Sequence, residues 1–371
     1  MKILGQISQG LEELGKTELE KLGAKGAKAV FRGVFFETDA AGAMRVNYCS
    51  RLFDRFLLPL FTFSCHDSDQ LYSKAKKYHW ENLFGIKSTF AVTAAVSGGR
   101  IKHSRWAGLK LKDAIADHFR DICGKRPYVD RKEPDAGLDL RIRGSRAEVR
   151  LDLSGGALHR RGYRKQTVKA PMRETVAAAA LEMTGWKGEK PLSDPMCGSG
   201  TILCEALMKY CRIPAGYYRK KWGFYRMEEY SKLTWKQVKA EADHRIISLP
   251  EKLLSGSDVS HEAVSAARSN LETFRDGKKV IVSQRDWHES QGYADTVILT
   301  NPPHGIRIFE ETAGMLVKEF GDFLKQKCQG STAYIFLGDT KLLKKVGLRT
   351  AWRKELSSGG LNGRLARYDL Y

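Results

Sequence analysis

The chain has 371 residues, and at roughly 100 to 200 residues per domain this length predicts two or three domains. Lys and Arg number 63 against 43 Asp and Glu, which leaves a formal net charge of +20 at pH 7. An excess of this size predicts a polyanionic partner, because neutralised phosphates release their condensed counterions. Hydrophobic residues make up 42% of the chain, which excludes a wholly disordered basic protein.

The N-terminus and the cysteines narrow the class of protein. The first residues carry charges every few positions and lack the apolar core of a signal peptide, and no apolar run approaches the roughly 20 residues that span a bilayer. The seven cysteines are scattered and never form C-x-x-C, which argues against a disulfide framework and against a zinc site. We expect a cytoplasmic protein with no membrane segment and no bound metal.

The first 155 residues predict an α+β region of two small units. Runs of β-branched and aromatic residues indicate strands, and amphipathic runs indicate helices. In chain order the predicted elements are a strand at Lys2–Ile7, a helix at Leu11–Leu22, a strand at Ala29–Glu37, a further element at Ala43–Phe53, a buried strand at Phe56–Phe63, a helix at Ser68–Tyr78, a strand at Thr89–Val96, a helix at Leu109–Ile122, and a hairpin of Leu138–Arg143 with Ala147–Leu153.

A basic connector at 160–173, with six cations and no acid, precedes a region of different character. Strands then alternate with helices, a pattern typical of a doubly wound, mostly parallel sheet. The predicted elements are a helix at Arg173–Met183, a strand at Pro191–Asp194, a helix at Thr201–Tyr210, a strand at Leu253–Ser257, a helix at His261–Phe274, strands at Lys279–Ser283 and Thr296–Thr300, a helix at Thr312–Lys325, a strand at Thr332–Leu337, and a closing antiparallel hairpin of Gly347–Leu356 with Gly363–Leu370. Between Arg212 and Glu251 lies a long basic and aromatic insertion.

The first strand end of this region is DPMCGSGT at 194–201. Ligands of open α/β sheets bind outside the carboxyl ends of the strands. Gly198 and Gly200 let the backbone approach a ligand and point helix amides at an anion, although a purely structural turn is the alternative. Leu203 stands where the dinucleotide fingerprint needs its third glycine, and no Lys follows Gly200, so the motif is neither that fingerprint nor a phosphate-binding loop.

Two more acids follow the next two predicted strands. Asp258 is placed to accept hydrogen bonds from both hydroxyls of a ribose, or else to cap the helix that starts near Ser260. Asp286 is placed to accept from an adenine amino group while Trp287 closes the pocket, or else to pair with Arg285 within a loop. The sequence leaves both alternatives open for each of these acids.

The most informative strand end is Asn301-Pro302-Pro303-His304. Two prolines remove two backbone donors and fix two φ angles, which leaves carbonyl groups rigidly presented. The Asn301 side chain and the Pro302 carbonyl then form a two-acceptor fork suited to a planar NH2 group, and the His304 ring offers a surface on which a base stacks. We predict Asn301, Pro302, Pro303 and His304 as the catalytic residues.

Three motifs stand out together with these strand ends: APMRET-x-AAA from Ala170, DPMCGSGTIL from Asp194 and TNPPHGIRI from Thr300. With them the chain resembles the THUMP-containing class I RNA guanine-N2 methyltransferases, which include the RlmL-like enzymes of large-subunit ribosomal RNA. The resemblance implies a ferredoxin-like α+β piece at 1–60, a THUMP RNA-binding domain at 61–155, a basic linker at 156–172 and a Rossmann-like methyltransferase domain at 173–371. It departs from the family at His304, where Tyr or Phe is usual.

The resemblance also implies a reaction and a site. The cofactor is S-adenosyl-L-methionine, held by Asp194, Cys197, Gly198, Gly200, Glu174, Asp258, Asp286 and Asn301. The product is a methyl group on the N2 amine of a guanine, in ribosomal RNA rather than tRNA. Alternatives are tRNA guanine-N2 methylation, nucleic-acid adenine-N6 methylation, protein glutamine methylation, and a non-catalytic RNA-binding or assembly factor.

RNA contacts are predicted from charge and aromatic content. Cations of the connector and the insertion are suited to phosphates, and interleaved aromatic residues are suited to stacking on unpaired bases. The predicted substrate-binding residues are Arg160, Arg161, Arg164, Lys165, Trp222 and Arg307. The sequence leaves the oligomeric state open.

Overall fold

The computed structural model of the chain describes residues 1–168, 171–303, 310–358 and 361–371. The chain divides into two compact units. The first unit comprises Met1–Ile7, Leu14–Leu158 and Arg219–Ala240, and the second comprises Ser8–Glu13, His159–Tyr218 and Glu241–Tyr371. Residues 219–240 therefore pack within the first unit, although the sequence prediction assigned them to the methyltransferase domain at 173–371.

The first unit contains one mixed sheet that runs through both of its predicted parts. Its elements are β1 (Lys2–Gln6), α1 (Glu12–Lys21, which begins in the second unit), β2 (Lys25–Val30), β3 (Gly33–Glu37), α2 (Ala40–Cys49), β4 (Arg55–Ser64), α3 (Ser68–Lys76), β5 (Thr89–Ser97), α4 (Ser104–Cys123), β6 (Tyr128–Val129), β7 (Ala136–Arg143), β8 (Arg146–Asp152) and α7 (Lys232–Asp243, which ends in the second unit). The strand order is β2-β3-β1-β4-β8-β7-β5-β6. Antiparallel pairing of β4 with β8 joins the N-terminal strands to the later ones.

Two local predictions in the first unit differ from the structure for identifiable reasons. The single strand at Ala29–Glu37 is the hairpin of β2 and β3, because the chain reverses at Arg32, whose φ is +56°. The element at Ala43–Phe53 is the helix α2, which begins earlier because the Asp39 carboxylate accepts a hydrogen bond from the Gly42 amide at 2.7 Å. The hairpin of β7 and β8 is confirmed, with alternate residues of β7 buried.

The insertion contributes a buried aromatic cluster to the first unit. Trp222 is 2% exposed, and its ring stacks on Phe224 with centroids 5.3 Å apart and contacts Tyr48 and Trp235 edge-on. Phe224 is fully buried. The prediction that Trp222 stacks on RNA bases is therefore wrong, because its indole ring is buried against other aromatic rings. The helix α7 within this insertion was not predicted.

The second unit confirms the predicted doubly wound sheet with a C-terminal antiparallel hairpin. Its elements are α5 (Glu174–Thr184), β9 (Leu192–Asp194), α6 (Thr201–Tyr210), β10 (Leu254–Asp258), α8 (His261–Leu271), β11 (Ile281–Gln284), β12 (Val297–Thr300), α9 (Glu310–Lys327), β13 (Thr332–Leu337), β14 (Trp352–Ser358) and β15 (Leu361–Asp369). The strand order is β11-β10-β9-β12-β13-β15-β14. β15 pairs antiparallel with β13 and with β14, and the pairings among β9 to β13 are parallel.

Candidate active site

A cleft of about 1200 Å³ lies in the second unit at the carboxyl ends of β9, β10, β11 and β12. Parallel strands bring their carboxyl ends to one edge of the sheet, which is why four segments distant in sequence meet here. Its lining from these strand ends is Asp194, Pro195, Met196, Cys197, Gly198, Ser199, Asp258, Val259, Ser260, Arg285, Asp286, Trp287, His288, Asn301 and Pro303. The structure thus brings most of the predicted strand-end residues together, whereas Gly200 and Pro302 are not among the lining residues.

The loop after β9 makes a tight turn over the sheet. Gly198 and Gly200 have φ values of +53° and +76°, a region that residues with a Cβ rarely adopt. A Cβ on Gly200 would lie 3.0 Å from the Cβ of Ala267 in α8, so glycine also permits the close approach of this helix. The Gly198 amide donates to Asp258 Oδ2 at 2.9 Å, which ties the ends of β9 and β10 together.

Asp194 is a buried carboxyl group at the centre of the cleft wall. It is 1% exposed, and its Oδ1 accepts hydrogen bonds from the Thr300 hydroxyl at 2.7 Å and the Met196 amide at 3.2 Å. Burial raises the pKa of Asp194 to about 7, and the nearby charge of Asp258 acts in the same direction. The group is therefore poised to lose its proton when a cation enters the cleft.

Asp258 is free of the capping role that the sequence left open. The cap of α8 is Ser260, whose hydroxyl accepts from the Ala263 amide at 3.2 Å. Asp258 Oδ1 accepts from the Ser260 amide at 3.0 Å and Oδ2 accepts from the Gly198 amide, so backbone amides fix the carboxylate in the cleft lining. This placement suits a ligand with neighbouring hydroxyl groups.

Asp286 is paired with His288 rather than with Arg285. Its Oδ1 accepts from the His288 amide at 3.0 Å and lies 2.7 Å from His288 Nδ1, while His288 Nε2 lies 3.4 Å from Glu319. Burial acts to raise the pKa of Asp286, but the two contacts with His288 outweigh it and lower the pKa. Trp287 is 5% exposed and carries the His288 ring stacked on it at 3.5 Å between centroids. His288, which the sequence prediction missed, thus completes this side of the cleft.

Asn301 presents an unsatisfied acceptor. Within the part of the chain that the structure describes, its Oδ1 is buried and has no hydrogen-bond partner. A buried polar atom without a partner is costly, so one that persists in a cleft marks a place for a donor. Pro302 is buried and Pro303 lines the cleft beside Asn301. The predicted residues His304 and Arg307 lie outside the described residues.

Three connector and helix residues have a different role from the one predicted. Arg161 is 1% exposed and pairs with the fully buried Glu205 at 3.3 Å. Arg164 donates to Glu174 Oε1, Ser199 Oγ and Thr201 Oγ1, each at 2.9 Å. The prediction that Arg161 and Arg164 bind RNA phosphates is wrong, because both guanidinium groups are used inside the second unit.

Glu174, a predicted cofactor contact, is not among the residues that line the cleft. It is 5% exposed, and its carboxylate forms an ion pair with Arg164. Arg164 therefore links the glycine loop to the start of α5 by hydrogen bonds, and Glu174 is joined to the loop through this arginine. Charge alone could not reveal these pairings from one sequence.

The connector also forms a wall of the cleft that the sequence prediction missed. Residues 166–168 and 171–172 line it opposite the strand ends. Asn270 in α8, fully buried, holds this segment: its Oδ1 accepts from the Lys165 and Gln166 amides at 2.7 and 3.0 Å, and its Nδ2 donates to the Gln166 and Ser199 carbonyls. The only sequence signal was an asparagine on the apolar face of α8.

The cleft combines a largely apolar lining with the strand-end carboxylates of Asp194, Asp258 and Asp286. Burial and the nearby Asp194 raise the pKa of the Cys197 thiol well above its usual value, so this cysteine is neutral rather than a nucleophile. Across the described ranges, no three His, Cys, Asp or Glu side chains are grouped to hold a metal ion. Over the same ranges, every helix is too short or too polar to cross a membrane.

Comparison with known proteins matches the chain to three family profiles in succession. Residues 4–57 match the RlmL ferredoxin-like domain, residues 65–152 the THUMP domain, and residues 161–367 the RMKL-like methyltransferase domain. The chain belongs to the RMKL-like methyltransferase family. A candidate RNA methyltransferase of Synechocystis sp. is 35% identical to this chain over 98% of this chain and 96% of its own length.

Other relatives are longer. A ribosomal RNA large subunit methyltransferase K/L of Photobacterium profundum is 35% identical over 98% of this chain but 52% of its own length, so the chain spans about half of such relatives. Among solved structures, a candidate methyltransferase in complex with SAH superposes with a TM-score of 0.87 at 23% identity, covering 100% of this chain and 98% of the other. That likeness confirms the predicted fold of the methyltransferase and its N-terminal region.

Proposed function

We propose that this methyltransferase transfers a methyl group from S-adenosyl-L-methionine to the N2 amine of a guanine in large-subunit ribosomal RNA. The observation that carries the proposal is the buried, unpartnered Asn301 Oδ1 in a cleft walled by three strand-end carboxylates. Relatives named as ribosomal RNA large subunit methyltransferases support the choice of RNA.

The residues present fit S-adenosyl-L-methionine. The glycine loop at 196–200 and Asp194 suit its amino-acid end, Asp258 suits its ribose hydroxyls, and Asp286 suits its adenine amino group. The cleft of about 1200 Å³ has room for this molecule together with a base. When bound, the cofactor supplies an electrophilic methyl group that leaves the sulfonium sulfur and bonds to the amine nitrogen, while the amine loses one proton to solvent.

The contribution of the chain is to place the amine. An exocyclic amine of guanine has two N–H donors and a lone pair delocalised into the ring. Asn301 Oδ1 accepts one of these donors, and the Pro302 carbonyl is the proposed second acceptor. Hydrogen bonds in the plane of the base hold the nitrogen so that its lone pair is directed out of that plane. Catalysis therefore rests on positioning and electrostatics.

RNA recruitment rests on the surface charge and on the THUMP domain. The net charge of +20 greatly exceeds what binding of one small cofactor requires. Arg160 and Lys165 are exposed in the connector next to the cleft wall, so they are the connector cations that we propose for RNA phosphates. We propose ribosomal RNA over tRNA on the strength of the relatives' names.

The test uses purified protein, methyl-tritiated S-adenosyl-L-methionine, and separated RNA fractions from cells that lack this protein. We expect label in large-subunit ribosomal RNA with the wild type and with the surface control Gln326→Ala, which is exposed in α9 and outside the cleft lining. We expect a loss of at least 100-fold with Asn301→Ala, on the order of removing an oxyanion-type hydrogen bond. Label confined to tRNA would refute the ribosomal substrate. Equal labelling by Asn301→Ala would refute the assigned active site.

A further inference from the structure

One hydrogen bond joins the cofactor side of the cleft to the acceptor side. Strands β9 and β12 are parallel neighbours, with Ile298 opposite Ser193. Asp194 and Thr300 are the last residues of these two strands, and the Thr300 hydroxyl donates to Asp194 Oδ1 at 2.7 Å. Thr300 is fully buried and Asp194 is 1% exposed, so this bond is shielded from bulk solvent.

Thr300 is also the residue before Asn301. Proline at 302 restricts the backbone of Asn301 from one side, because the residue before a proline is confined to extended conformations. The anchored side chain of Thr300 restricts it from the other side. Both restraints act on the backbone that carries the unpartnered Asn301 Oδ1.

The strength of this bond depends on the charge of Asp194. A hydroxyl binds a carboxylate more strongly than it binds a neutral carboxyl group. Burial raises the pKa of Asp194 to about 7, so near neutral pH a substantial fraction of the molecules carries the neutral form. A cation bound beside Asp194 favours the ionised form and thereby shortens and strengthens the bond to Thr300.

We propose that Thr300 is a positioning residue that couples cofactor binding at Asp194 to the orientation of the Asn301 acceptor. The coupling rests on the proposed function, since it takes Asp194 as a cofactor contact and Asn301 as the amine acceptor. It gives the enzyme a means of ordering the acceptor site only when the cofactor is present.

Three variants isolate the hydroxyl group. Thr300→Val keeps the shape of the side chain and removes the donor, whereas Thr300→Ser keeps the donor. Thr296→Val is the matched control, because Thr296 is a buried threonine just before the same strand whose hydroxyl donates locally to the Ala294 carbonyl at 2.8 Å.

The first readout needs no turnover. Hydrogen exchange of a peptide covering residues 297–303 is measured with and without SAH, the demethylated cofactor, and SAH affinity is measured by calorimetry. We expect SAH to slow exchange of this peptide in the wild type, Thr300→Ser and Thr296→Val, and to have at least fivefold less effect in Thr300→Val. SAH affinity of Thr300→Val should stay within about threefold of wild type.

The second readout is the single-turnover rate at saturating cofactor. We expect about a tenfold loss in Thr300→Val, the factor of one ordinary hydrogen bond, and a loss below threefold in Thr300→Ser. The proposal is overturned if Thr300→Val keeps the SAH effect on exchange, or if Thr300→Ser fails as badly as Thr300→Val. If the wild type binds SAH but methylates no RNA, the proposed function fails, and the exchange comparison still decides whether the coupling exists.

Discussion

The titration of Asp194 offers a quantitative test of the cleft. Its pKa is about 7 in the folded protein, against about 3.9 in an unfolded chain. Below pH 4 the group is neutral in both states and has no effect. Between pH 4 and pH 7 the native state holds a proton that the unfolded state has lost, so stability falls as the pH rises, and above pH 7 the loss is complete.

The magnitude follows from this window. The pH-dependent window lies between the two pKa values, and raising the pH from 5 to 8 crosses about two pH units of it. At 1.36 kcal/mol per unit, the free energy of unfolding of the wild type falls by about 3 kcal/mol. In Asp194→Asn the side chain is neutral at every pH and its oxygen still accepts from Thr300. The Tm of the variant relative to wild type should therefore increase by roughly 6 to 12 °C between pH 5 and pH 8, for a domain of about 200 residues.

Thermal unfolding without ligand, followed at both pH values, measures this difference. Ser193→Ala serves as the control, since Ser193 is equally buried beside Asp194 and does not titrate, and its Tm offset should be the same at both pH values. An Asp194→Asn offset that is also independent of pH would refute the account of a neutral, buried carboxyl group in the empty cleft.

Three further outcomes follow from the packing and charge. Trp222→Ala should destabilise the first unit by about 3 to 5 kcal/mol in chemical denaturation, because it empties an aromatic core site; loss of RNA binding without loss of stability would contradict the burial. Arg164→Lys keeps the charge but loses the three-way fork, and calorimetry should show about tenfold weaker SAH binding; unchanged affinity would mean that the loop needs no such anchor. In the double variant Arg160→Gln with Lys165→Gln, the slope of log K against log salt for RNA should fall by about 1.4 to 1.8, and an unchanged slope would exclude both side chains as phosphate contacts.

The strands of the second unit were predictable because they are short apolar runs that end in polar residues. β12, for instance, is Val-Ile-Leu-Thr ahead of Asn301, and its end in the structure matches its predicted end. The same logic placed Asp194, Asp258 and Asp286 at neighbouring strand ends. Parallel topology then brought them together, as the rule for open α/β sheets requires.

The partners of the charged residues were not predictable. Arg161 and Arg164 look like phosphate-binding cations in the sequence, because their partners Glu205 and Glu174 are 44 and 10 residues away and carry no local signal. The prediction for Trp222 was wrong for a similar reason, because its packing partner Tyr48 lies far from it in the sequence. A basic or aromatic run records composition, whereas burial depends on tertiary contacts.

The insertion also changes how the chain can be divided. Residues 219–240 pack in the first unit although they lie between strands of the second. A fragment starting at residue 158 would separate Trp222 from Tyr48 and expose an aromatic cluster. Experiments on cofactor binding should therefore use the full chain with point variants.

The central claim is tested most directly by identifying the methylated nucleoside. Unmodified large-subunit ribosomal RNA is incubated with the protein and S-adenosyl-L-methionine, digested to nucleosides, and analysed by mass spectrometry with chromatographic standards. The account predicts N2-methylguanosine with the wild type and none with Asn301→Ala. N6-methyladenosine as the product, or N2-methylguanosine in equal amounts from both proteins, would contradict it.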